Sequence, residues 1–339
     1  MQRKTLPVSI IIPFSGQTKD LCTLLRALEI STAWAAEIIV ISSEERNHNI
    51  NDLVCNEFNS NLDFLGIVNI ILSSKTLFPG AARNIGILKS SKPVIAFLDT
   101  NTIPNIKWLE KSYDLINNQE KINMILGMTK YTGNTFIKKL FITATYGELP
   151  LKTIPGSIMK RSTLFEIGLF IPTIRAAEDT DWIVRASQFG YINKNITTPV
   201  LQYDAIPNNI IQMSKKWFRN YYSCAAIVFH LEKQKLIYFM FGNTIALYIA
   251  FTWNYLFAKW DTSSLLYFPN ITKLTFSLII LSYFVLRGII MPLKRGTSIN
   301  NLLPLRWFMV TLICLVLDIS KLSAYVTSLM NPIKTSCEK

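Results

Sequence analysis

Asp99 closes the apolar run Pro93-Val-Ile-Ala-Phe-Leu98 and opens the string Asp99-Thr-Asn-Thr-Ile-Pro104. A short, wholly apolar run reads as a strand buried on both faces. Packing gives such a strand no reason to end in an acid, and the carboxyl edge of an open α/β sheet is where ligands bind. A carboxylate with a second oxygen donor two residues on, Asn101, suits a hard divalent cation held against substrate phosphates. The plainer reading of Asp99 is the start of a turn. A second acidic string, Glu178-Asp-Thr-Asp181, stands before the helix pattern Trp182, Ile183, Ala186. Carboxylates there can serve as a general base for a hydroxyl group, or simply open a helix whose dipole favours negative charge.

The elements that must carry these residues alternate. Val8–Ile12 reads as a strand stopped by Pro13, and Lys19–Ile30 as a helix with Leu21, Leu24, Leu25 and Leu28 on one face. Glu37–Ile41 and Val68–Leu72 are the next strands, with a helix over Asn51–Phe58 between them. Gly80–Ser90 is a helix leading into the strand that Asp99 ends. This βαβαβαβ order predicts a doubly wound, mostly parallel, Rossmann-like sheet. Beyond it the pattern loosens: helices over Ile106–Asn117 and Phe136–Tyr146, a strand over Asn123–Thr129, and a turn then strand over Pro155–Lys160.

From about residue 206 the chain changes character. Trp217, Phe218, Tyr221 and Tyr222 interleave with Lys215, Lys216 and Arg219, a composition suited to a helix on a membrane surface. Leu236–Ala258 and Thr275–Met291 read as membrane spans, the second with Arg287 snorkelling near its end, and Leu302–Met330 as a weaker third in which Asp318 and Lys321 can pair. Half of the 339 residues are hydrophobic and the net charge is +13, with a mean hydropathy of +0.28. The positive charges flanking the spans place the first half in the cytoplasm, and a bacterial inner membrane is the expected setting. The basic balance suits anionic lipid; no aromatic–basic repeat marks a nucleic-acid partner. Two histidines and five scattered cysteines suggest neither a histidine metal site nor a disulfide frame.

Taken in order, several pieces of residues 5–205 resemble family 2 glycosyltransferases of the GT-A fold. Val8-Ser-Ile-Ile-Ile-Pro13 and Glu37-Ile-Ile-Val40 resemble the first two strands, and Gly80-Ala-Ala-Arg-Asn-Ile-Gly86 the helix before the metal strand. Phe97-Leu-Asp-Thr-Asn101 resembles the metal-binding DxD stretch, Gly156-Ser-Ile-Met159 the acceptor-side strand, and Glu178-Asp-Thr-Asp-Trp182 the catalytic ED motif. The resemblance implies an inverting sugar transfer from a nucleotide-sugar donor, with Mg²⁺ or Mn²⁺ held by Asp99 and Asn101. It implies Asp179 as base beside Glu178 and Asp181, and donor contacts from Pro13, Ser42, Glu44, Arg83 and Asp99. Two positions depart from the pattern: Asn101 replaces the usual second Asp, and Ser42-Ser43-Glu44-Glu45 replaces the acids that usually meet the base.

The expected organisation is a GT-A domain over 1–205, interfacial amphipathic helices over 206–235, and a transmembrane region of two or three helices over 236–330. The expected acceptor is lipid-linked or another glycan precursor. The competing reading is a non-catalytic nucleotide-sugar-binding or assembly protein on the same fold, which Asn101 and Ser42 favour. Asp99, Arg83 and Asp179 together favour the enzyme.

Overall fold

The computed structural model describes residues 3–43, 50–119, 121–192, 196–225, 227 and 231–331. The first part is β1 (Lys4–Phe14), α1 (Thr18–Glu29), β2 (Ala33–Ser43), α2 (Ile50–Glu57), α3 (Leu62–Leu65), β3 (Val68–Ser73), α4 (Pro79–Lys89) and β4 (Val94–Phe97). Next come β5 (Thr102–Ile103), α5 (Trp108–Asn117), β6 (Met124–Tyr131), α6 (Phe136–Ala144), β7 (Leu151–Lys160), α7 (Arg161–Ile167), α8 (Glu178–Gln188) and β8 (Val200–Tyr203). The remainder is helical: α9 (Ile210–Cys224), α10 (Leu231–Leu256), α11 (Ile271–Val285), a π-helical turn (Leu286–Ile290), α12 (Met291–Lys294) and α13 (Arg306–Met330).

The strands form one mixed sheet in the order β3-β2-β1-β4-β7-β6-β8-β5. Its first half, β3-β2-β1-β4, is parallel, as the βα alternation predicts. Beyond β4 the sheet turns antiparallel at β7. Helices cover both faces of the parallel half, so β1 is apolar without alternation. One face of β1 (Val8, Ile10, Ile12) packs with Leu21, Leu24, Leu25 and Leu28 of α1. The other, through Ile11, packs with Ile87 of α4 and Trp182 of α8. Each of the four fully buried leucines contributes roughly 1.5–3 kcal/mol.

β1 does not stop at Pro13. Ile11 accepts from the Leu98 amide on the β4 side, so Pro13, two residues on, faces the same side, where β4 has already ended at Phe97. Its missing N–H costs no ladder bond. β2 likewise starts earlier than expected, because Ala33–Ala35 pair with Lys4–Leu6 across a register shift.

Among the described residues two helical stretches are long and apolar enough to cross a membrane, Ile271–Lys294 and Arg306–Met330, with mean hydropathies of 2.0 and 1.8. The segment expected as the first span, Leu236–Ala258, falls largely on α10, which runs unbroken for 26 residues. Arg287 does not snorkel: its Nε and Nη2 donate to both Asp318 oxygens at 2.8 Å, and Tyr283 donates to the same carboxylate at 2.9 Å. Asp318 therefore pairs between helices and not with Lys321, whose Nζ lies 4.5 Å from the Tyr221 ring. The segment expected to lie on the bilayer packs part of its surface against α13. Met213 of α9 is buried with Phe141, Ile206 and Leu317, and Tyr221 meets Tyr325 of α13 edge-on.

Candidate active site

The site begins with the turn after β4. The Thr102 hydroxyl donates to the Asp99 carbonyl at 2.6 Å and accepts from the Asp99 amide, while the Thr102 amide returns to the same carbonyl at 2.9 Å. This clasp fixes the Asp99 backbone at the carboxyl edge of the sheet. The Asp99 side chain is 36% exposed, and Asn101 is exposed in the same turn.

Arg83 reaches that carboxylate from α4. The helix lies close to the sheet because Gly86 has no Cβ: one there would sit 2.4 Å from Ile11 Cγ2. Asn84 bonds the backbone of Phe170 twice, as donor at 2.8 Å and acceptor at 3.0 Å, and so holds the Phe170 ring against the Arg83 guanidinium. Arg83 is 3% exposed; its Nη1 donates to Glu178 at 2.7 Å and its Nη2 to Asp99 at 3.0 Å. Its Nε is buried with no partner among the described residues. One guanidinium thus brackets two carboxylates from distant parts of the chain. Burial pushes the Glu178 carboxyl up to about 7, with Asp179 assisting and Arg83 opposing. The two carboxylates hold Arg83 firmly protonated against its own burial.

The three acids of α8 have separate fates. Ala177, directly before them, sits at φ 71°, a left-handed conformation that costs an L-residue roughly 1–2 kcal/mol. Glu178 is buried against Arg83. Asp181 pairs with Arg185 at 2.9 Å, and Arg185 also donates to the carbonyls of Ile167, Gly168 and Leu169. Through Arg185, Asp181 therefore braces the end of α7 and the residues after it against α8. Asp179 is half-buried; its Oδ1 accepts from the Thr180 amide at 2.7 Å, and among the described residues it pairs with no cation.

Of the expected donor contacts, Pro13 and Ser42 lie at the carboxyl ends of adjacent strands, where Phe14 and Ser42 are in register. Ser42 is buried, and its hydroxyl has no hydrogen-bond partner among the described residues. Glu44 lies outside the described residues. Arg83 has both terminal nitrogens engaged, with Asp99 and Glu178, and its side chain is buried.

Sequence reasoning missed the opposite wall. Tyr131 stacks on Tyr146 at 3.7 Å and lies 5.0 Å from Tyr203, and Trp217 of α9 closes against Tyr146. Burial, and then Asp99, push the Tyr203 phenol up to about 12, with Arg219 opposing. Tyr203 therefore stands between the acidic turn and α9. Lys216 lies over the Tyr203 ring at 5.4 Å, and burial with Arg219 nearby lowers its ammonium to about 8. The aromatic–basic interleaving of α9 was the available signal; that Lys216 and Trp217 meet Tyr203 and Tyr146 depends on packing.

A divalent cation fits this donor set. Asp99 gives one oxygen to Arg83 and Asn101 offers an amide oxygen, both hard donors. No group of three or more His, Cys, Asp or Glu capable of holding a metal stands among the described residues. Two such donors suit an ion like Mg²⁺, which is commonly held by one or two carboxylates together with substrate phosphates.

Comparison with known proteins agrees with this geometry. Glycosyltransferase AglE of Haloferax volcanii is 25% identical over 198 residues, 55% of this chain and 64% of that protein, so the match spans less than two thirds of its relative. A mannosyltransferase of Pyrobaculum calidifontis, solved in complex with GDP-Man and Mn²⁺, shares the fold at a TM-score of 0.53 and 12% identity, over 94% of this chain and 87% of that one. The profile described as Glycosyl transferase family 2 matches residues 9–180, just over half of the chain, from within β1 to the start of α8. The chain belongs to glycosyl transferase family 2.

Proposed function

We propose that the protein is a membrane-anchored, inverting glycosyltransferase that moves a sugar from a nucleotide-sugar donor to an acceptor hydroxyl, with Asp179 as general base. The observation that carries this reading is the division of labour in α8. Glu178 and Asp181 are committed to Arg83 and Arg185, which leaves Asp179 as the acid available to a substrate. The family membership and the Mn²⁺-bound fold relative support the donor class and the metal.

The donor sits at the carboxyl edge of β1, β2 and β4. The acceptor oxygen attacks the anomeric carbon from the face opposite the leaving group, Asp179 takes its proton, and the bond to the diphosphate oxygen breaks. Asp99 and Asn101 would hold a Mg²⁺ or Mn²⁺ ion, which when bound with the donor phosphates would supply electrostatic stabilisation to the departing diphosphate. Arg83 keeps Asp99 and the start of α8 at a fixed separation. The two apolar helices anchor the domain at the cytoplasmic face of a bilayer, where a lipid-linked acceptor is within reach.

The test is purified full-length protein in detergent, offered a panel of nucleotide-sugars with lipid extract and scored for nucleotide release. Asp179→Asn keeps the size but cannot take a proton, so turnover should fall by roughly 10²-fold or more with donor affinity little changed. Normal turnover by this variant would remove Asp179 from the role.

A further inference from the structure

A cavity of about 540 Å³ lies between the catalytic sheet and the start of α13, lined by both cations and apolar groups. Its charged residues are Lys130, Lys139, Arg306 and Glu148. Arg306 stacks on the Phe136 ring at 5.6 Å, and Glu148 accepts from Asn301 at 3.2 Å. Among the described residues no carboxylate pairs with Lys130, Lys139 or Arg306. Three positive groups thus share a cavity with one acid, which is hydrogen-bonded to Asn301 of the same lining. The apolar share comes from Leu140 and Val310, both buried. A cavity walled in this way suits a ligand with an anionic head and an apolar body.

Its position supplies the second argument. Tyr131 lines the cavity and is in register with Tyr203, and Tyr203 is in register with Thr102. Thr102 is the residue clasped onto Asp99. Adjacent strands lie about 4.8 Å apart, so the cavity wall is roughly 10 Å from the Asp99 turn. On the other side Arg306 opens α13, one of the two membrane-length helices, and Phe308, Met309 and Leu312 stay exposed on its first turns. The cavity therefore joins the catalytic cleft to the level at which α13 would leave water.

We propose that this cavity seats the phosphate head of a long-chain lipid acceptor, with Lys130, Lys139 and Arg306 as its counter-charges and the chain lying along the exposed apolar residues of α13. This rests on the glycosyltransferase reading above and assigns the acceptor class to a specific place. The site is separate from Asp99, Asp179 and the donor edge.

The experiment titrates full-length protein in detergent micelles with a polyprenyl monophosphate, the matching uncharged polyprenol, inorganic phosphate, and a nucleoside diphosphate with Mg²⁺. Lys130 and Lys139 are exposed, so their reversal leaves the core intact; thermal unfolding checks this. The double variant Lys130→Glu/Lys139→Glu should weaken polyprenyl phosphate roughly thirtyfold, about 1 kcal/mol per lysine near an anionic surface, and leave nucleoside diphosphate affinity unchanged. Reversal of exposed Lys89, outside the cavity, should change neither affinity. Wild-type affinity in the double variant overturns the proposal, as does equal binding of polyprenol and polyprenyl phosphate. Inorganic phosphate binding as tightly as the lipid would show a free-phosphate site and also overturn it. Failure of the wild type to bind any nucleoside diphosphate would count against the glycosyltransferase reading, while the lipid titration still decides the cavity.

Discussion

Replacing Glu178 by Gln should stabilise the protein at alkaline pH, although it breaks the 2.7 Å ion pair with Arg83. Glu178 is 4% exposed and shares its one cation with Asp99, so the guanidinium does not repay the burial of the charge. Its carboxyl titrates near 7 in the folded protein against an ordinary value of 4.5. The sign follows from linkage. A group whose folded pKa is raised contributes most below its unfolded pKa, and that contribution is lost as pH rises through the folded value. The gap between 4.5 and about 7 corresponds to about 3 kcal/mol lost across that window. Glutamine stays neutral and has no such loss. Glu178→Gln should therefore match wild type near pH 4.5 and exceed it by about 3 kcal/mol near pH 8, roughly 6–12 °C in melting temperature for a domain of this size. Melting followed by intrinsic fluorescence in detergent, from pH 4.5 to 8.5, reads this directly. The opposite outcome, a variant less stable by about 3–5 kcal/mol at pH 8, is what an ion pair that outweighs its desolvation would give. That result would refute the reasoning about a shared cation.

Other expectations follow from single contacts. Asn101→Asp adds charge to a hard-cation site and should raise Mn²⁺ affinity by isothermal titration in the presence of nucleoside diphosphate, while Asp99→Ala should abolish turnover; full activity in EDTA would contradict both. Gly80→Ala places a Cβ 2.4 Å from the Ile171 carbonyl and 3.2 Å from Glu178 Cγ, and should cost about 1–3 kcal/mol in thermal unfolding. Arg287→Met should cost about 3–5 kcal/mol by leaving Asp318 uncompensated, and Arg287→Met/Asp318→Met should recover most of it; equal losses in both would mean the pair itself stabilises. Reporters fused after Trp260 and Lys294 should lie on opposite sides of the membrane if the intervening helix spans it.

The sequence carried the parallel half of the sheet because its strands are buried on both faces and its helices on one. Runs such as Ile10-Ile-Ile12 and the Leu21, Leu24, Leu25, Leu28 stripe leave little alternative. Asp99 was legible for the same reason: an acid ending a buried strand has few structural explanations. The allocation of Glu178, Asp179 and Asp181 was not legible. It depends on which arginine meets which acid, and Arg83 lies 95 residues before Glu178. The tyrosine wall was hidden because strand register aligns Tyr131, Tyr203 and Thr102, and register is set by pairing between segments far apart in the chain. Asp318 was assigned to Lys321 by helical spacing, yet its partner is on another helix. Local spacing offers a candidate, and a bidentate guanidinium that also satisfies Tyr283 offers a better one.

The two membrane-length helices are not equivalent, and the difference bears on how a soluble-type domain could act at a bilayer. Ile271–Lys294 is 6% buried over its apolar window, whereas Arg306–Met330 is 33% buried. The buried part of α13 is what holds the domain. Leu317 packs with Phe141 and Met213, and Val310 and Cys314 pack with Leu140 and Ala144. Tyr222 of α9 donates to the Asn331 carbonyl at 2.8 Å, just past the end of α13. A helix joined to the domain along much of its length transmits its own tilt to that domain, unlike one tethered by a loop. The Arg287–Asp318 pair then ties the more exposed helix to α13. If α13 spans, the orientation of the Asp99–Asp179 cleft relative to the bilayer is fixed by packing and not by diffusion on a linker. That is the arrangement a transfer to a membrane-embedded acceptor needs, since reacting atoms must be held near 3–3.5 Å for the step to proceed.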